Sequence, residues 1–375
     1  METQTVKGFS DFLGEDAKKR EEIRKLLVTT FEKYGFNPAE TPIVEYEEFV
    51  RGENKNDEAV SDIFRLKDKG ERKLALRYEF TFQLKRIMNN QKLPFRRYSI
   101  GPVFRDEPVK GNRLRQFVQC DCDVVGSKVF DEAEILAIGK EILDKLGIEF
   151  TIYVNNRKLL NEILDSEGVK QKEEIIRVVD KLDKLSEKEV LEELKKFDAE
   201  KVLEIFKKTE KYFEKYSSYK EILELKKCCK EFGVEFKFSP TLARGLSYYN
   251  GTIFEIKTKK MKETIISGGS YMFNAVQSTG ISFGLDRLSM LTEIKSEKET
   301  YLVVSLGKDA EAIKLAKRLR DDDKSVVLFY GKPSKAMEYA NSYLMNKVIF
   351  VGEEEVKAKK FKVKDMKSGK ETLLK

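Results

Sequence analysis

The spacing of apolar residues changes period several times along the 375-residue chain. From Asp16 to Tyr34, Ile23, Leu26, Leu27, Thr30, Phe31 and Tyr34 recur at helical intervals, and Gly35 supplies a stop, so a helix is predicted there. FNPAETPIVEYEEF then predicts an extended strand around Pro42. LALRYEFT, residues 74–81, alternates and predicts a strand with Arg77, Glu79 and Thr81 on one face. The strictest alternation is Phe117–Val124. Phe117, Gln119, Asp121 and Asp123 fall on one side of a strand, and Val118, Cys120, Cys122 and Val124 on the other. One side can enter a core, while the other offers a ring, an amide and two carboxylates to a ligand. Upstream, Val103, Arg105 and Glu107 read as a second strand end. Pro108–Arg115 reads as a loop carrying Lys110, Arg113 and Arg115. Two strands joined by an Arg-rich loop suit a nucleotide, with cations for phosphates and a flat ring for the base.

Further on, a helix is predicted over 131–146 and a strand at EFTIYV. Residues 157–235 are rich in Lys, Glu, Leu and Ile at helical spacing, which predicts a helical insertion with charged pairs on exposed faces. TLARGLSYYNGTIFE predicts a strand-turn-strand unit bracketed by Gly245 and Gly251. Arg244 opens that unit, and Tyr248 and Tyr249 face opposite ways. GISFGLDRLSML is a Gly-punctuated strand running into an apolar helix. After the charged stretch EIKSEKET, strands and helices alternate: YLVVSLG, DAEAIKLAKRLRDDD, SVVLFYG, KAMEYANSYLMN and KVIFVGEEE. That order predicts a small α/β domain with a mostly parallel sheet. The divisions read as 1–156, the insertion 157–235, a return to the first domain at 236–296, and a terminal domain at 300–375.

Composition narrows the chemistry. Lys+Arg of 72 against Asp+Glu of 65 gives +7, enough to permit a nucleic-acid partner through local patches. No apolar run is long enough to span a bilayer, and METQTVKGFSDF has no signal-peptide core, so a cytoplasmic protein with no membrane partner is expected. Histidine is absent, which removes the commonest general base and metal ligand. The cysteines fall as Cys120/Cys122 and Cys228/Cys229, without zinc-knuckle spacing, so no protein metal site is expected. Chemistry must rest on Arg, carboxylates, Tyr and a supplied metal ion.

Phe104, Arg105, Glu107, Gly111, Arg113, Arg115, Gln116, Phe117, Gln119 and Asp123 together resemble motif 2 of class II aminoacyl-tRNA synthetases, and in detail that of the histidyl-tRNA synthetases. The helix and Pro42 strand resemble motif 1, and KGFSDF the family's N-terminal segment. LALRYEFT is similar to the form in archaeal and eukaryotic members. TLARGLSYYNGTIFE resembles the histidine-specific signature, with Ser247 in place of its Asp. SGGSYMFNAV resembles the next element through Gly268, Gly269 and Tyr271 but departs at Ser270 and Met272. Arg287 stands where motif 3 has its Arg.

The resemblance implies an α+β fold: an antiparallel-sheet catalytic domain with a helical insertion, plus a C-terminal α/β anticodon-binding domain. It implies activation of L-histidine by ATP with Mg²⁺, transfer to histidine tRNA, and a homodimer through the Asp16–Pro42 unit. Arg105 and Arg244 take catalytic roles at the α-phosphate. Glu107, Arg113, Phe117 and Arg287 complete the ATP site. Glu79, Thr81, Gln119, Asp123, Arg244, Tyr248, Tyr249 and Tyr271 hold histidine. Two alternatives stay open: a silent paralogue resembling the regulatory subunit of ATP phosphoribosyltransferase, and a related synthetase for another amino acid.

Overall fold

The computed structural model describes residues 3–374 apart from 53–60, 110, 112, 184, 245–247 and 295–297. Lys110, Gly245 and Ser247 therefore lie outside the described residues. The contacts divide the chain into two units, Met1–Ile294 and Lys295–Lys375. Among the described residues no helix is long and apolar enough to cross a membrane.

The first unit is built on an eight-stranded sheet. In chain order its strands begin with β1 (Asn37–Pro38), which precedes a separate three-stranded sheet of β2 (Val44–Tyr46), β3 (Arg65–Lys67) and β4 (Lys73–Leu76). The main sheet continues with β5 (Phe95–Phe104), β6 (Gln116–Val125), β7 (Thr151–Asn156) and β8 (Lys237–Phe238). It is completed by β9 (Tyr249–Thr258), β10 (Met261–Phe273) and β11 (Val276–Gly284). Across the sheet the order is β1-β5-β6-β11-β10-β9-β7-β8. All inner pairings are antiparallel, and only the two-residue edge strands β1 and β8 pair parallel.

One face of this sheet is covered by the helices Gly14–Lys33 and Val129–Lys145. Ile23, Leu27 and Phe31 meet Cys120, Cys122, Val124, Ile281 and Phe283 in a single core. The apolar half of the β6 alternation is thus buried as expected, and its polar half faces the opposite side. There the helices from Arg157–Ser166 to Tyr219–Glu231 build a second apolar cluster that reaches Tyr249 and Tyr271. Asp286 fastens the first layer to the sheet. It accepts from Arg20 at 2.8 Å and from the Val118 N–H at 2.9 Å, with both side chains of the ion pair 8% exposed.

Four local expectations need correction. The stretch around Pro42 divides between β1 and β2, which belong to different sheets. β4 ends at Leu76, and Thr81 starts a helix, Thr81–Ile87. The ladder with β2 ends at the Val44–Leu76 pair, and Arg77 follows it with its guanidinium donating to the Pro102 and Thr41 carbonyls at 2.7 and 2.9 Å. Arg105 and Glu107 lie past the end of β5 at Phe104, in the loop. Among the described residues of 241–255 only β9 is a strand. Gly251 lies within it, and Tyr248 precedes it with its ring centroid 4.7 Å from that of Tyr249. The two rings are neighbours because alternation holds only inside a strand.

The second unit carries β12 (Thr300–Ser305), β13 (Ser325–Tyr330), β14 (Lys347–Val351), β15 (Lys362–Asp365) and β16 (Glu371–Leu373), in the order β13-β12-β14-β15-β16. The first three pair parallel, and β15 and β16 add antiparallel. The helices Asp309–Asp321 and Pro333–Ser342 cover its two faces through Leu315 and Leu319 on one and Ala336 and Ala340 on the other.

Removing only the cation of the Arg20–Asp286 pair leaves a buried carboxylate uncompensated. Arg20→Met is expected to cost about 3 kcal/mol of first-unit stability in guanidinium chloride unfolding. A loss below about 0.5 kcal/mol would mean that the pair does not fasten the helix to the sheet.

Candidate active site

Residues from five separate stretches of the first unit converge on one cleft of about 740 Å³. All thirteen residues expected to act line it: Glu79, Thr81, Arg105, Glu107, Arg113, Phe117, Gln119, Asp123, Arg244, Tyr248, Tyr249, Tyr271 and Arg287. The sheet register explains half of this. Phe117, Gln119, Asp121 and Asp123 stand on the open side of β6, opposite Val103, Gly101, Ser99 and Arg97 of β5. On the other flank Gln119, Asp121 and Asp123 pair with Gly284, Ser282 and Gly280 of β11.

The floor of the cleft is charged and dry. Arg97 is 1% exposed and lies 2.8 Å from Asp123, whose other oxygen accepts from the Tyr271 hydroxyl. Gly280 makes this possible, since a Cβ there would fall 2.0 Å from Asp123 Oδ1. Burial raises Asp123, against the pull of Arg97. Gln119 Nε2 donates to Asp121 at 2.8 Å, and burial with the Asp123 charge pushes Asp121 up to about 7. Glu79 is likewise pushed up to about 7, by burial first, although Arg105 pulls the other way. The Tyr248 hydroxyl donates to Glu79 Oε2 at 3.2 Å, while Glu79 Oε1 is buried without a partner.

The cationic side is arranged differently. The Arg105 guanidinium lies between two rings, 4.3 Å from the Tyr78 centroid and 5.1 Å from that of Phe117, and its Nε is buried without an acceptor. Arg244 approaches Glu255 at 3.2 Å, and its Nε too is buried without an acceptor. Its backbone has φ of 53°, a left-handed conformation that costs about 1 kcal/mol or more in a non-glycine residue. Glu255 is held by Thr264 at 2.9 Å and Lys257 at 3.1 Å. Arg113 and Glu107 pair with each other at 2.8 Å. Arg287 donates to the Thr264 carbonyl rather than to Asp286, the acid of its own helix, and burial together with the nearby Arg113 lowers its pKa. Gly8 braces the loop, its carbonyl accepting from the Arg115 and Gln116 N–H groups at 2.8 and 3.2 Å.

Cations with unused donors on one side and buried acceptors on the other suit a ligand carrying both an anion and an ammonium group. Comparison with known proteins gives the family. A histidyl-tRNA synthetase family model matches residues 8–288, and an anticodon binding domain model matches 300–375. The chain is 35% identical to histidine–tRNA ligase 1 of Bacillus cereus over 99% of its length and 97% of that protein's. The chain belongs to the histidyl-tRNA synthetase family, which are aminoacyl-tRNA ligases. The archaeal enzyme of Methanocaldococcus jannaschii is 33% identical, again over 99% of this chain and 97% of that protein. The crystal structure of histidyl-tRNA synthetase from Nostoc superposes with a TM-score of 0.85 at 25% identity, covering 100% of this chain and 97% of that one. A Bacillus halodurans structure titled ATP phosphoribosyltransferase regulatory subunit/histidyl-tRNA synthetase superposes at 0.77 over 93% of this chain and 98% of that one. At 21% identity, that likeness is one of fold.

Sequence reasoning left several cleft residues without a role. Glu255 stood inside the signature, and Asp121 inside the alternation. Arg97 gave no signal, because only the β5–β6 register brings it to Asp123. Tyr78 lies within LALRYEFT, where nothing in the alternation marks it as a platform for Arg105.

Glu79 yields a stability test. A carboxyl whose folded pKa, about 7, exceeds its ordinary 4.5 holds its proton more tightly when folded. Its protein is therefore most stable below 4.5 and loses stability as pH rises to 7. Glu79→Gln should match the parent's unfolding free energy at pH 5 and exceed it at pH 8, by on the order of 1–3 kcal/mol. A variant less stable than the parent at pH 8 would show that Glu79 is not a buried charge under strain.

Proposed function

We propose that this cleft activates L-histidine with ATP and passes the histidyl group to the 3′-terminal ribose of histidine tRNA. The observation carrying the reading is the placement of Arg105 and Arg244, each with a buried, unused Nε–H, on the same cleft as the acceptors of Glu79 and Gln119. A histidine carboxylate oxygen attacks the α-phosphorus, and the bond to the bridging oxygen breaks with its electron pair leaving on pyrophosphate. The nucleophile is already an anion, so no protein base is needed in a chain without histidine. The barrier is met by alignment and by neutralising charge at phosphorus.

In this reading Arg105 and Arg244 hold the α-phosphate from two sides, and Glu255 keeps Arg244 extended. Arg113 and Arg287 take the outer phosphates, which requires Arg113 to release Glu107. Phe117 stacks on adenine, with Glu107 at its edge. Glu79, Thr81, Gln119 and Asp123 hold the amino group and its neighbouring atoms, with Tyr248 bracing Glu79. Tyr249 and Tyr271 line the imidazole pocket. Hydroxyls and carboxylates suit an imidazole, which has one donor and one acceptor, and disfavour an apolar isostere that leaves them unpaired. Among the described residues no three acidic or thiol side chains gather to hold a metal. Mg²⁺ would arrive as the counter-ion of the nucleotide, with phosphate oxygens among its ligands. The second unit reads the anticodon, and the protein works in the cytoplasm.

The first test is ATP–pyrophosphate exchange across a panel of amino acids, with histidine alone expected to support it. Exchange with none would favour the regulatory paralogue, whose fold is shared, and exchange with another amino acid a different synthetase. Within the site, Arg244→Lys should lower adenylate formation by roughly 10²-fold or more while histidine binding stays near the parent value, since a lysine cannot present two donors in one plane. Exchange at the parent rate would remove Arg244 from the α-phosphate.

The same reading makes the protein a homodimer. The apolar stripe of the Asp16–Pro42 unit is not free for that contact, because Ile23, Leu27 and Phe31 are buried against the sheet. The exposed apolar residues flank the unit instead, with Leu13, Ile43, Val44, Tyr46 and Leu66 40–81% exposed and four of them on or beside the short β2-β4-β3 sheet. An apolar surface of this kind marks a contact between chains. Sedimentation should give a dimer at micromolar concentration, and a fully active monomer would count against the interface.

A further inference from the structure

Asp121 lies on β6 between Gln119 and Asp123, lines the cleft and is 3% exposed. The reading above gives it no task. Gln119 Nε2 donates to its Oδ2 at 2.8 Å. An ionised carboxylate can only accept, so the Gln119 amide has to turn its NH₂ toward Asp121. The amide oxygen is then directed elsewhere, and Gln119 Oε1 is indeed buried without a hydrogen-bond partner. Glu79 Oε1 is in the same condition. Leaving such acceptors empty is unfavourable, and a primary ammonium, with three N–H donors and a charge, relieves both.

We propose that Asp121 is a positioning residue for the substrate's amino group: it fixes the Gln119 amide so that the carbonyl oxygen, not the NH₂, meets the α-ammonium. With the amide reversed, donor would face donor and the ammonium would be repelled. The inference rests on the amino-acid activation reading. It concerns the amine shared by all α-amino acids, however, and not the histidine side chain.

The surroundings make this arrangement sensitive to pH. Facing Asp121 are Gln119 and Asp123 on its own strand, Ser282 across on β11, Arg97 on β5, and Glu79. Burial first and Asp123 second disfavour its charge, while Arg97, Ser282 and Gln119 favour it. Once protonated, Asp121 becomes a donor and can hold the amide the other way round. Amine recognition therefore strengthens as pH rises through about 7 and weakens below it.

Calorimetry on the full chain with three ligands tests the proposal. Histidine and histidinol carry the amine, and imidazolepropionate lacks it. Asp121→Ala should weaken the two amines by ~10-fold or more and leave imidazolepropionate nearly unchanged. Asp121→Asn can still accept from Gln119, so it should retain more amine affinity than the alanine variant. Its ratio to the parent should change between pH 6 and pH 8, because only the parent titrates. Equal weakening of all three ligands by Asp121→Ala, or a parent-to-Asn ratio that is constant with pH, would overturn the proposal. If Asp121→Ala does not fold, the pH comparison with Asp121→Asn decides alone. If the parent binds a different amino acid, the histidine reading falls. That acid and its deaminated analogue then replace histidine and imidazolepropionate in the same comparison.

Discussion

Most of this structure follows from the need to keep three carboxylates in the dry floor of one cleft. Glu79, Asp121 and Asp123 are each at least 96% buried by surface, at 4%, 3% and 3% exposure. Two of them sit two residues apart on one strand. Such an array is tolerable only with a cation nearby and donors for its oxygens. Arg97 comes from the neighbouring strand, Tyr271 from β10, Tyr248 from just before β9, and Gln119 from β6 itself. The antiparallel sheet is what brings these together. Its register sets Arg97 opposite Asp123 on one side and Gly280 on the other, where no side chain would fit.

The apolar side of the same strand carries the cost of that arrangement. Cys120, Cys122 and Val124 are fully buried beneath the helices Gly14–Lys33 and Val129–Lys145. A slip of one residue would exchange the two faces of β6 and put carboxylates into that core. Arg20–Asp286 helps to fix the layers, with the carboxylate also holding the Val118 N–H. Stability and function thus meet on one strand: burial that makes Glu79 and Asp121 hard to ionise also leaves them eager for a cationic ligand. Opposite them, Arg105 is braced by rings and Arg244 by Glu255, so the positive side is formed without closing its own donors.

The fold was legible wherever a pattern was longer than its interruptions. The β6 alternation, the first helix and the strand–helix alternation of residues 300–351 were all readable from spacing. The misreadings occurred where an alternating pattern runs past the end of its strand. Arg77 looked like one member of an alternating strand, yet the ladder with β2 stops at Leu76 and the Arg77 guanidinium binds two carbonyls beyond it. Tyr248 and Tyr249 looked like opposite faces, yet the strand begins only at the second. The thirteen expected residues were brought together by motif spacing and resemblance. Their partners, such as Arg97, depend on which strands pair and in what register, which local periodicity does not encode.

The chain contains no histidine, so any imidazole signal in its presence belongs to the ligand. Histidine labelled with ¹⁵N in the ring, added to protein purified without a histidine tag, reports directly on whether the acceptor-lined floor receives this amino acid. The account predicts one saturable set of shifted imidazole resonances per chain, lost in Glu79→Gln and altered again when ATP is added. Resonances that stay at their free positions in the parent, or a shifted set that persists unchanged in Glu79→Gln, would contradict it.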